Sequence, residues 1–480
     1  MIMKSILSII TLSVLCGLPV SASEKEQVSS LDDQTSVAVT IYNENLALIK
    51  DQRQLKLDKG INYVAFRGVS AKIRSETALL RSLTANTKLH VLEQNFDYDL
   101  LTPKKLLDKY IGKQVKLSRT NPATGQETIE TATVLSTNSG VVLKIGNKII
   151  TNPKGEYIFD NVPANLRDKP TLVTQVTSSS NAQQSIELAY LTSGLSWQAD
   201  YVAELSSDDS HLDLTGLITL KNHSGTSYNN AKLQLVAGDV NQVRAKVSAP
   251  FSSQMVRMSM MEDDSSVAEE SLFEYHLYSL NRPTNLNNQQ TKQVALLSAT
   301  SIPVTKQFLL QGRDYYYRSS YGQLGQKMKV GVFVEFDNNK QAQLGLPLPK
   351  GIVRVYKNDS KGNAQFVGED RIDHTPKNET IRLKLGDAFD ITANKKQTNF
   401  KKVSHNRPHN VAFESSYDIE LKNAKSEAVT VTVNEPIPGD WKVLKQSHPH
   451  TKVASGTAQW KVTIPAESST HLNYRVLVQY

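Results

Sequence analysis

The sequence predicts an all-β protein of several domains, with tandem immunoglobulin-like β-sandwiches, a small SH3-like or OB-like β-barrel and one short helix. The first observation is alternation: residues 186–240 contain four successive runs in which apolar and polar residues take turns. In Leu195–Leu205 the apolar positions recur with a period of two, which places one face of an extended strand in a core. Glycine, serine and asparagine turns separate the four runs, so we expect an antiparallel meander.

The second observation is a short internal repeat. ITLKN at Ile218–Asn222 and IELKN at Ile419–Asn423 each lead into a polar turn and a further alternating strand. A shared strand–turn–strand context indicates two related sandwiches, one in the middle of the chain and one at its C-terminus.

Composition favours a packed protein of more than one core. The chain has 480 residues, of which 39% are hydrophobic and 21% charged, as is typical of a folded globular protein. A chain of this length is too long for a single hydrophobic core. The formal net charge of +8 is not gathered in a basic arm. It therefore predicts no nucleic-acid partner, and it is compatible with an anionic polymer nearby.

The first 22 residues are predicted to be a signal peptide. Lys4 precedes the apolar run Ile6–Leu15, and Val20 and Ala22 suit a cleavage site after Ala22. The single cysteine, Cys16, lies in this segment, and the bulky residue before it disfavours lipid attachment. No later run is long and apolar enough for a transmembrane helix. We expect export to the periplasm or cell envelope of a Gram-negative bacterium, without disulfides.

The chain after the signal peptide is predicted to hold four regions. A short helix is expected at TPKKLLDKYIG, where Thr102 can cap, Pro103 suits the first turn and Gly112 ends the run. Five short β runs with tight turns follow it and predict the small barrel. The expected regions are an N-terminal β-domain (23–95), the helix with the small barrel (96–170), a first sandwich (171–345) and a C-terminal immunoglobulin-like sandwich (346–480).

Residues 244–270 interrupt the first sandwich. They are rich in serine, methionine and acidic residues and lack a sustained period. We predict a mobile insertion there. The alternative is an adaptable methionine surface for a partner.

Motifs for catalysis are not found in the sequence. It lacks HExxH, GxSxG, GxxxxGK[ST], GxGxxG and an EF-hand loop, and the expected mature chain has no thiol. The spacings His405–His409 and His448–His450 do not supply a third metal ligand. We therefore predict no catalytic residue, no cofactor and no metal, although enzymatic activity remains an open alternative.

Aromatic and acidic residues in the alternating strands and turns form a candidate interaction surface. Trp197 and Tyr201 share a face with Leu195 and Leu205, so core packing is the competing interpretation for both. Asp200 lies on the opposite, polar face and calls for a partner group. Tyr315, Tyr316 and Tyr317 suit stacking on a sugar or an anionic polymer, or a hairpin with alternate rings buried. The full candidate set is Trp197, Asp200, Tyr201, Asp239, Tyr315, Tyr316, Tyr317, Asp440 and Trp441.

Several longer runs carry a family resemblance. They are EQNFDYDLLTPKKLLDKYIGKQV, YLTSGLSWQADYVAEL, SGTSYNNAKLQLVAGDV, LGDAFDITANKKQTNF and NEPIPGDWKV. Together they resemble the bacterial DUF4139 family, which is related to mucoidy-inhibitor-like proteins. The resemblance implies an exported, mainly β protein without an established biochemical activity, and it supplies no catalytic residues. The chain lacks the long coiled coil of some mucoidy-inhibitor-like relatives.

Three functional hypotheses follow from these features. The first is a non-enzymatic envelope protein that binds a partner protein or an anionic surface polymer. The second is a hydrolase of envelope polymers that uses carboxylates or histidines. The third is an outer-membrane β-barrel, because the last strand alternates and ends in the aromatic Tyr480. The sequence leaves the oligomeric state open.

Overall fold

A computed structural model describes residues 26–43, 45–163, 166–238, 240–241, 267–272, 275–404 and 411–480. In these ranges the protein consists of β-strands in several sheets with one α-helix, which confirms the predicted all-β class. The chain forms two compact units. The first comprises the described residues up to Ser36 together with Lys50–Tyr190, and the second comprises Val37–Ile49 and Leu191–Tyr480. None of the helices in the described ranges has the length and hydropathy needed to cross a membrane.

The elements up to residue 192 include thirteen strands and the helix. In chain order they are β1 (Gln27–Ser29), β2 (Gln34–Tyr42), β3 (Leu46–Leu57), β4 (Gly60–Arg67), β5 (Leu79–Ser82), β6 (Leu89–Asp97), α1 (Pro103–Lys109), β7 (Gln114–Thr120), β8 (Glu127–Ser136), β9 (Val142–Ile145), β10 (Lys148–Thr151), β11 (Glu156–Ile158), β12 (Thr171–Ser178) and β13 (Ala182–Thr192). Short 3-10 turns lie at Leu31–Asp33 and Ser75–Thr77.

Helix α1 forms where the sequence predicts it. The Thr102 side chain accepts a hydrogen bond from the Lys105 backbone N–H at 3.2 Å, and Pro103 occupies the first turn. Gly112 follows the helix with a φ of +79°, a left-handed conformation that favours glycine. Leu107 and Tyr110 are buried against the neighbouring strands, so the apolar stripe of this short helix holds it in place.

The predicted small barrel is instead an open sheet. Its five strands are present, in the order β10-β9-β8-β7-β11, and the fifth of the run pairs with the first. Among the described strands, β10 and β11 form the two edges and do not pair with each other. The five short β runs in the sequence predict the number of strands. Whether these strands close into a barrel depends on the tilt and stagger that they adopt together.

A buried arginine on β3 contacts two strands of another sheet, whose order is β1-β4-β12-β6. Arg53 has no exposed surface, and its guanidinium donates to Asp51 at 2.8 Å. It also donates to the backbone carbonyls of Ser29 at 2.8 Å and Arg67 at 3.1 Å. The five donors of a guanidinium allow one side chain to fasten its own strand β3 to the ends of β1 and β4, while it also pairs with a carboxylate.

The second unit contains the remaining strands. They are β14 (Leu195–Leu205), β15 (His211–Asn222), β16 (Tyr228–Ala237), β17 (Val267–Leu272), β18 (Tyr275–Leu280), β19 (Thr284–Leu286), β20 (Gln290–Pro303), β21 (Thr305–Gln311), β22 (Gln323–Asp337), β23 (Gly351–Asn358), β24 (Ala364–Ile372), β25 (Thr380–Ser404), β26 (Val411–Asn423), β27 (Val429–Pro436), β28 (Asp440–Gln446), β29 (His450–Ala454), β30 (Thr457–Ile464) and β31 (Ser468–Gln479). Further 3-10 turns lie at Asp314–Tyr317 and Lys340–Ala342.

Two sheets of the second unit contain the residues discussed below. One has the order β20-β15-β14-β23-β24 and contains the central strands of the predicted meander. The other has nine strands in the order β28-β31-β26-β25-β22-β21-β27-β30-β29. Buried residues of β26 and β31 join one apolar core with those of β27 and β30, so this sheet folds over and packs on itself. Trp460 stacks on Tyr474 at 4.6 Å between ring centroids inside this core.

The predicted mobile insertion 244–270 overlaps a strand at its end. Residues 244–266 lie outside the described residues, as do the signal peptide with Cys16 and the candidate Asp239. Val267–Leu272, however, forms β17 and pairs with β18. The sequence does not predict this strand, because acidic and serine residues interrupt its short apolar pattern.

The internal repeat has a structural counterpart in two buried asparagines. Asn222 donates through Nδ2 to the Thr226 carbonyl at 2.9 Å and accepts from the Ser224 N–H at 3.0 Å. Asn423 donates to the Glu427 carbonyl at 2.8 Å and accepts from the Lys425 N–H at 3.0 Å. Each asparagine therefore closes the turn that leads from one strand to the next, β15 to β16 and β26 to β27.

Replacing either asparagine by alanine should destabilise the second unit. Asn222→Ala and Asn423→Ala each remove side-chain hydrogen bonds from buried backbone groups, which costs about 1–3 kcal/mol per site. All three tryptophans of the chain lie in this unit, so tryptophan fluorescence during urea unfolding reports on it. Asn399→Ala, at an exposed position of β25, is the matched control and should change the midpoint little. Equal midpoints for all three variants would contradict the proposed role of the turn.

Candidate functional site

A polar groove runs across the outer face of four neighbouring strands, β22, β25, β26 and β31. Its volume is about 550 Å³. The side chains that line it are all polar or charged: Gln323, Gln326, Lys327, Thr392, Asn394, Lys396, Asp418, Glu420, Lys422 and His471.

The pleat of β25 and β26 explains this polar lining. Ile391 and Ala393 point into the apolar core of the sandwich, so the residues between them must point outward. The register of the two strands then places outward residues opposite each other. The outward cross-strand pairs are Thr392–Lys422, Asn394–Glu420 and Lys396–Asp418.

A bulge in β22 raises one side of the groove. The pairing of β22 with β25 shifts between Gly325 and Met328, and Lys327 adopts a φ of +49°. The Lys327 backbone N–H donates to Oδ1 of Asn394 at 2.9 Å, which ties the bulge to the floor. Because a bulge locally lifts and twists its strand, a flat sheet face becomes concave here.

The two carboxylates of the groove are held by neighbouring donors. Asn394 Nδ2 donates to Glu420 Oε2 at 2.8 Å, and the Lys422 ammonium lies 3.3 Å from Glu420 Oε1. The hydrogen bond from Asn394 lowers the pKa of Glu420, with a smaller contribution from Lys422. Asp418 Oδ1 lies 2.8 Å from Nδ1 of His471. Three lysines face these two carboxylates, which leaves an excess of one positive charge.

Glu420 lacks the electrostatic environment of an acid catalyst. A glycosidase acid needs a carboxyl group whose pKa is raised so that it can donate a proton near neutral pH. In Glu420 the pKa is lowered instead, so its carboxylate is an ionised acceptor. Ionised acceptors, lysine ammonium groups and amides together can bind a ligand that carries both hydroxyl and anionic groups.

Two of the residues predicted for an interaction surface belong to the core. Trp197 is buried and donates from Nε1 to the Val236 carbonyl at 3.3 Å. Tyr201 is buried and donates from its hydroxyl to the Pro349 carbonyl at 2.8 Å. The competing interpretation from the sequence is thus the correct one, because alternation had already placed both rings on the apolar face of β14.

Asp200 has hydrogen-bond partners, as the sequence analysis expects. Its carboxylate accepts from the Thr219 hydroxyl at 2.6 Å and from the Arg354 guanidinium at 3.0 Å. Arg354 also approaches Glu369 at 3.3 Å. Burial by itself would raise the pKa of Asp200, but the hydrogen bonds from Thr219, Gln198 and Arg354 together lower it. The residue is therefore an ionised link between β14, β15 and β23.

The tyrosine run is divided between core and surface. Tyr316 and Tyr317 are buried, so they cannot belong to an exposed surface, whereas Tyr315 is 43% exposed. The 3-10 turn Asp314–Tyr317 causes this division, because its residues point in different directions about a tight axis rather than alternating as in a hairpin.

The final pair of candidates lies at the start of β28. Asp440 is exposed, and it remains available to solvent. Trp441 is buried and donates from Nε1 to the Ser455 carbonyl at 2.8 Å, while the Lys452 ammonium lies 4.8 Å from its ring centroid. The remaining candidate, Asp239, is outside the described residues.

The sequence patterns do not predict the groove. The pleat of β25 separates two adjacent lysines, since Lys395 is buried and Lys396 is exposed. The available signal was the polar half of the alternation, Thr392-x-Asn394-x-Lys396 and Asp418-x-Glu420-x-Lys422. Polar alternate positions are typical of any wet sheet face, so this signal alone does not distinguish a groove from an ordinary surface.

Comparison with protein families gives one match. The model of a domain of unknown function, DUF4139, matches residues 186–480, which is more than half of the chain. No curated protein matches the sequence. The whole groove lies within the matched segment.

Acid should remove the contribution of Asp200 to stability. Its pKa is lower in the folded chain than in the unfolded chain, so its stabilisation is complete at neutral pH and is lost as the pH falls through the folded pKa. We expect Asp200→Asn to destabilise the second unit by about 1–3 kcal/mol at neutral pH. The difference from the wild type should shrink below pH of about 4, where carboxylates protonate.

Urea unfolding followed by tryptophan fluorescence at a series of pH values measures this difference. Asp390→Asn, at an exposed position of β25, is the control for loss of one negative charge. A destabilisation by Asp200→Asn that stays constant from neutral to acid pH would show that the ionised carboxylate is not the stabilising species.

Proposed function

We propose that this chain, which belongs to the DUF4139 family, is an exported cell-envelope protein that binds an anionic polysaccharide in its polar groove. The observation that carries the proposal is the lining, which consists wholly of hydrogen-bonding and charged side chains around about 550 Å³. Such a lining favours a ligand that is hydrated and rich in hydroxyl groups.

The lining disfavours a protein partner at this site. The centre of a protein interface usually contains apolar and aromatic residues, which contribute most of the binding energy. Among the described residues that line the groove there is no aliphatic side chain and no phenylalanine, tyrosine or tryptophan. A polysaccharide needs fewer such anchors, because its hydroxyl groups exchange hydrogen bonds with amides and carboxylates.

The charges of the groove favour a polymer with negative groups. Lys327, Lys396 and Lys422 outnumber the two carboxylates, and the chain as a whole carries a formal charge of +8. The lysines would pair with the anionic groups, and Glu420 and Asp418 would accept hydrogen bonds from the hydroxyls. The predicted signal peptide supports an encounter with such polymers outside the cytoplasm.

The width of the groove suits an extended chain. It spans four adjacent strands, which at the usual strand spacing measures about 14 Å. An open groove of this width can hold an internal segment of a long polymer without requiring a chain end.

Removing two groove lysines should weaken binding of a polyanionic sugar chain. The double variant Lys396→Gln/Lys422→Gln loses two cations of the groove, and we expect its affinity for polygalacturonate to fall about tenfold or more. Isothermal titration of the full chain measures the affinity, with dextran as the neutral polymer. Wild-type binding should also weaken as salt is added.

The matched control is Lys401→Gln/Lys402→Gln, which makes the same charge change on exposed residues of the same strand β25. Equal losses in the two double variants would mean that binding depends on general charge and not on the groove. Absence of wild-type binding would overturn the proposal. Release of new reducing ends by the wild type, abolished by Glu420→Gln, would replace binding with hydrolysis.

A further inference from the structure

A lysine and a glutamate meet inside the C-terminal sandwich, on the opposite side of β25 from the groove. Lys395 and Glu435 are both fully buried. Nζ of Lys395 lies 2.6 Å from Oε2 of Glu435. Lys395 belongs to β25 and Glu435 to β27, which are not neighbours in the sheet order. The pair therefore joins the two packed layers of the sandwich through its core.

Aromatic rings enclose the lysine. Its ammonium group lies 4.3 Å from the ring centroid of Tyr316, 5.1 Å from that of Tyr417 and 5.9 Å from that of Tyr474. Burial in these surroundings lowers the pKa of Lys395, although Glu435 opposes the shift. Burial therefore makes the neutral amine, which is the nucleophilic form of a lysine, easier to reach than it is for a lysine in water.

Two tyrosine hydroxyls complete a closed ring of hydrogen bonds with the pair. Tyr317 donates to Glu435 Oε2 at 2.8 Å, and its hydroxyl lies 2.8 Å from that of Tyr474. Nζ of Lys395 donates to the Tyr474 hydroxyl at 3.3 Å. Burial raises the pKa of both tyrosines well above its usual value, so both phenols stay protonated. They form a path for a proton from the lysine nitrogen to the glutamate oxygen.

The ionic form of this pair is costly to keep. Oε1 of Glu435 has no hydrogen-bond partner among the described residues, and a buried carboxylate with one free oxygen loses much of its hydration. Gly312 lies directly beside the carboxyl group, and only a residue without a Cβ fits there, because a Cβ placed at this position would collide with Glu435. A neutral product that keeps the two side chains together would remove both buried charges.

We propose that Lys395 and Glu435 condense to form an intramolecular isopeptide bond across the sandwich. The two groups are held in contact by a rigid core, which gives an intramolecular reaction a large effective concentration. The site is closed to external substrates, so a reaction between its own side chains is the chemistry open to it. The proposal does not depend on the groove or on its ligand.

The reaction balances without an added reagent. A proton moves from the Lys395 ammonium to the Glu435 carboxylate, which gives an amine and a carboxylic acid. The amine nitrogen forms a bond to Cδ of Glu435, and the bond from Cδ to Oε2 breaks. The second amine proton passes through Tyr474 and Tyr317 to the departing oxygen, which leaves as one water molecule. Nothing is oxidised or reduced.

Such a bond would give this chain the kind of covalent constraint that exported proteins usually obtain from disulfides. The only cysteine of the sequence is Cys16, in the predicted signal peptide. Linking β25 to β27 closes a long loop and fastens one layer of the sandwich to the other.

Peptide mass spectrometry of the purified, denatured and trypsin-digested full chain tests the proposal. We expect a branched peptide that joins the segments around Lys395 and Glu435, lighter by one water than the two linear peptides together. Trypsin should not cleave after Lys395, because its side chain is acylated. Linear peptides with unmodified Lys395 and Glu435 in the wild type would overturn the proposal, as would a cross-link at other residues.

Two variants and an internal control sharpen the result. Lys395→Arg keeps the charge but cannot form the amide, so its intact mass should exceed that of the wild type by one water after allowance for the substitution. Gly312→Ala keeps both reactants but displaces the carboxyl group, and it should lower the cross-linked fraction. The partly exposed pair Lys306–Asp209, at 2.7 Å, should stay linear in the same digest. The digest of the wild type tests the proposal without any variant. A variant that misfolds therefore leaves that test intact.

Discussion

The pleat of strand β25 is the constraint on which the second unit depends. This strand runs from Thr380 to Ser404, and successive side chains must point to opposite faces of its sheet. Ile391, Ala393 and Lys395 thereby enter the core, while the residues between them build the floor of the groove. A shift of one residue in the register would exchange the two sets, placing polar groups in the core and apolar groups in water. The core and the groove are consequently two faces of one element.

Buried polar groups in this protein connect separate backbone segments through hydrogen bonds. Arg53 joins three backbone segments of the first unit, Asn222 and Asn423 close equivalent turns, and Lys395 meets Glu435 across the second core. Each of these groups would be expensive to bury alone, and each has hydrogen-bond partners that a shift in packing would break. A large β protein without disulfides can thus hold specific strands together by directional contacts, in addition to the less specific burial of apolar side chains.

Features that depend on neighbouring residues in the chain are predictable from the sequence. The cap and breaker residues around Pro103–Lys109 predict the helix, and alternation predicts that Trp197 and Tyr201 are core residues as the competing interpretation held. Alternation also shows that Asp200 needs a partner. It does not show which one, because Arg354 lies on a distant segment that pairs with β14 only in the folded sheet. The open edges of the five-stranded sheet were not predicted for the same reason, since they depend on which strands pair in the folded chain.

Patterns of residues close together in the chain are enough to predict the all-β class, the helix, the family resemblance and the two related turns. The groove and the buried pair arise only when distant strands come together in the fold. The residues that line the groove are spread through the chain between Gln323 and His471. Its concave shape depends on a bulge in β22 that no local sequence motif predicts. Lys395 and Lys396 are adjacent and chemically identical, yet one is buried against Glu435 and the other faces solvent. The physical reason is that their environments are set by which strands lie above and below β25, and those strands are distant in sequence.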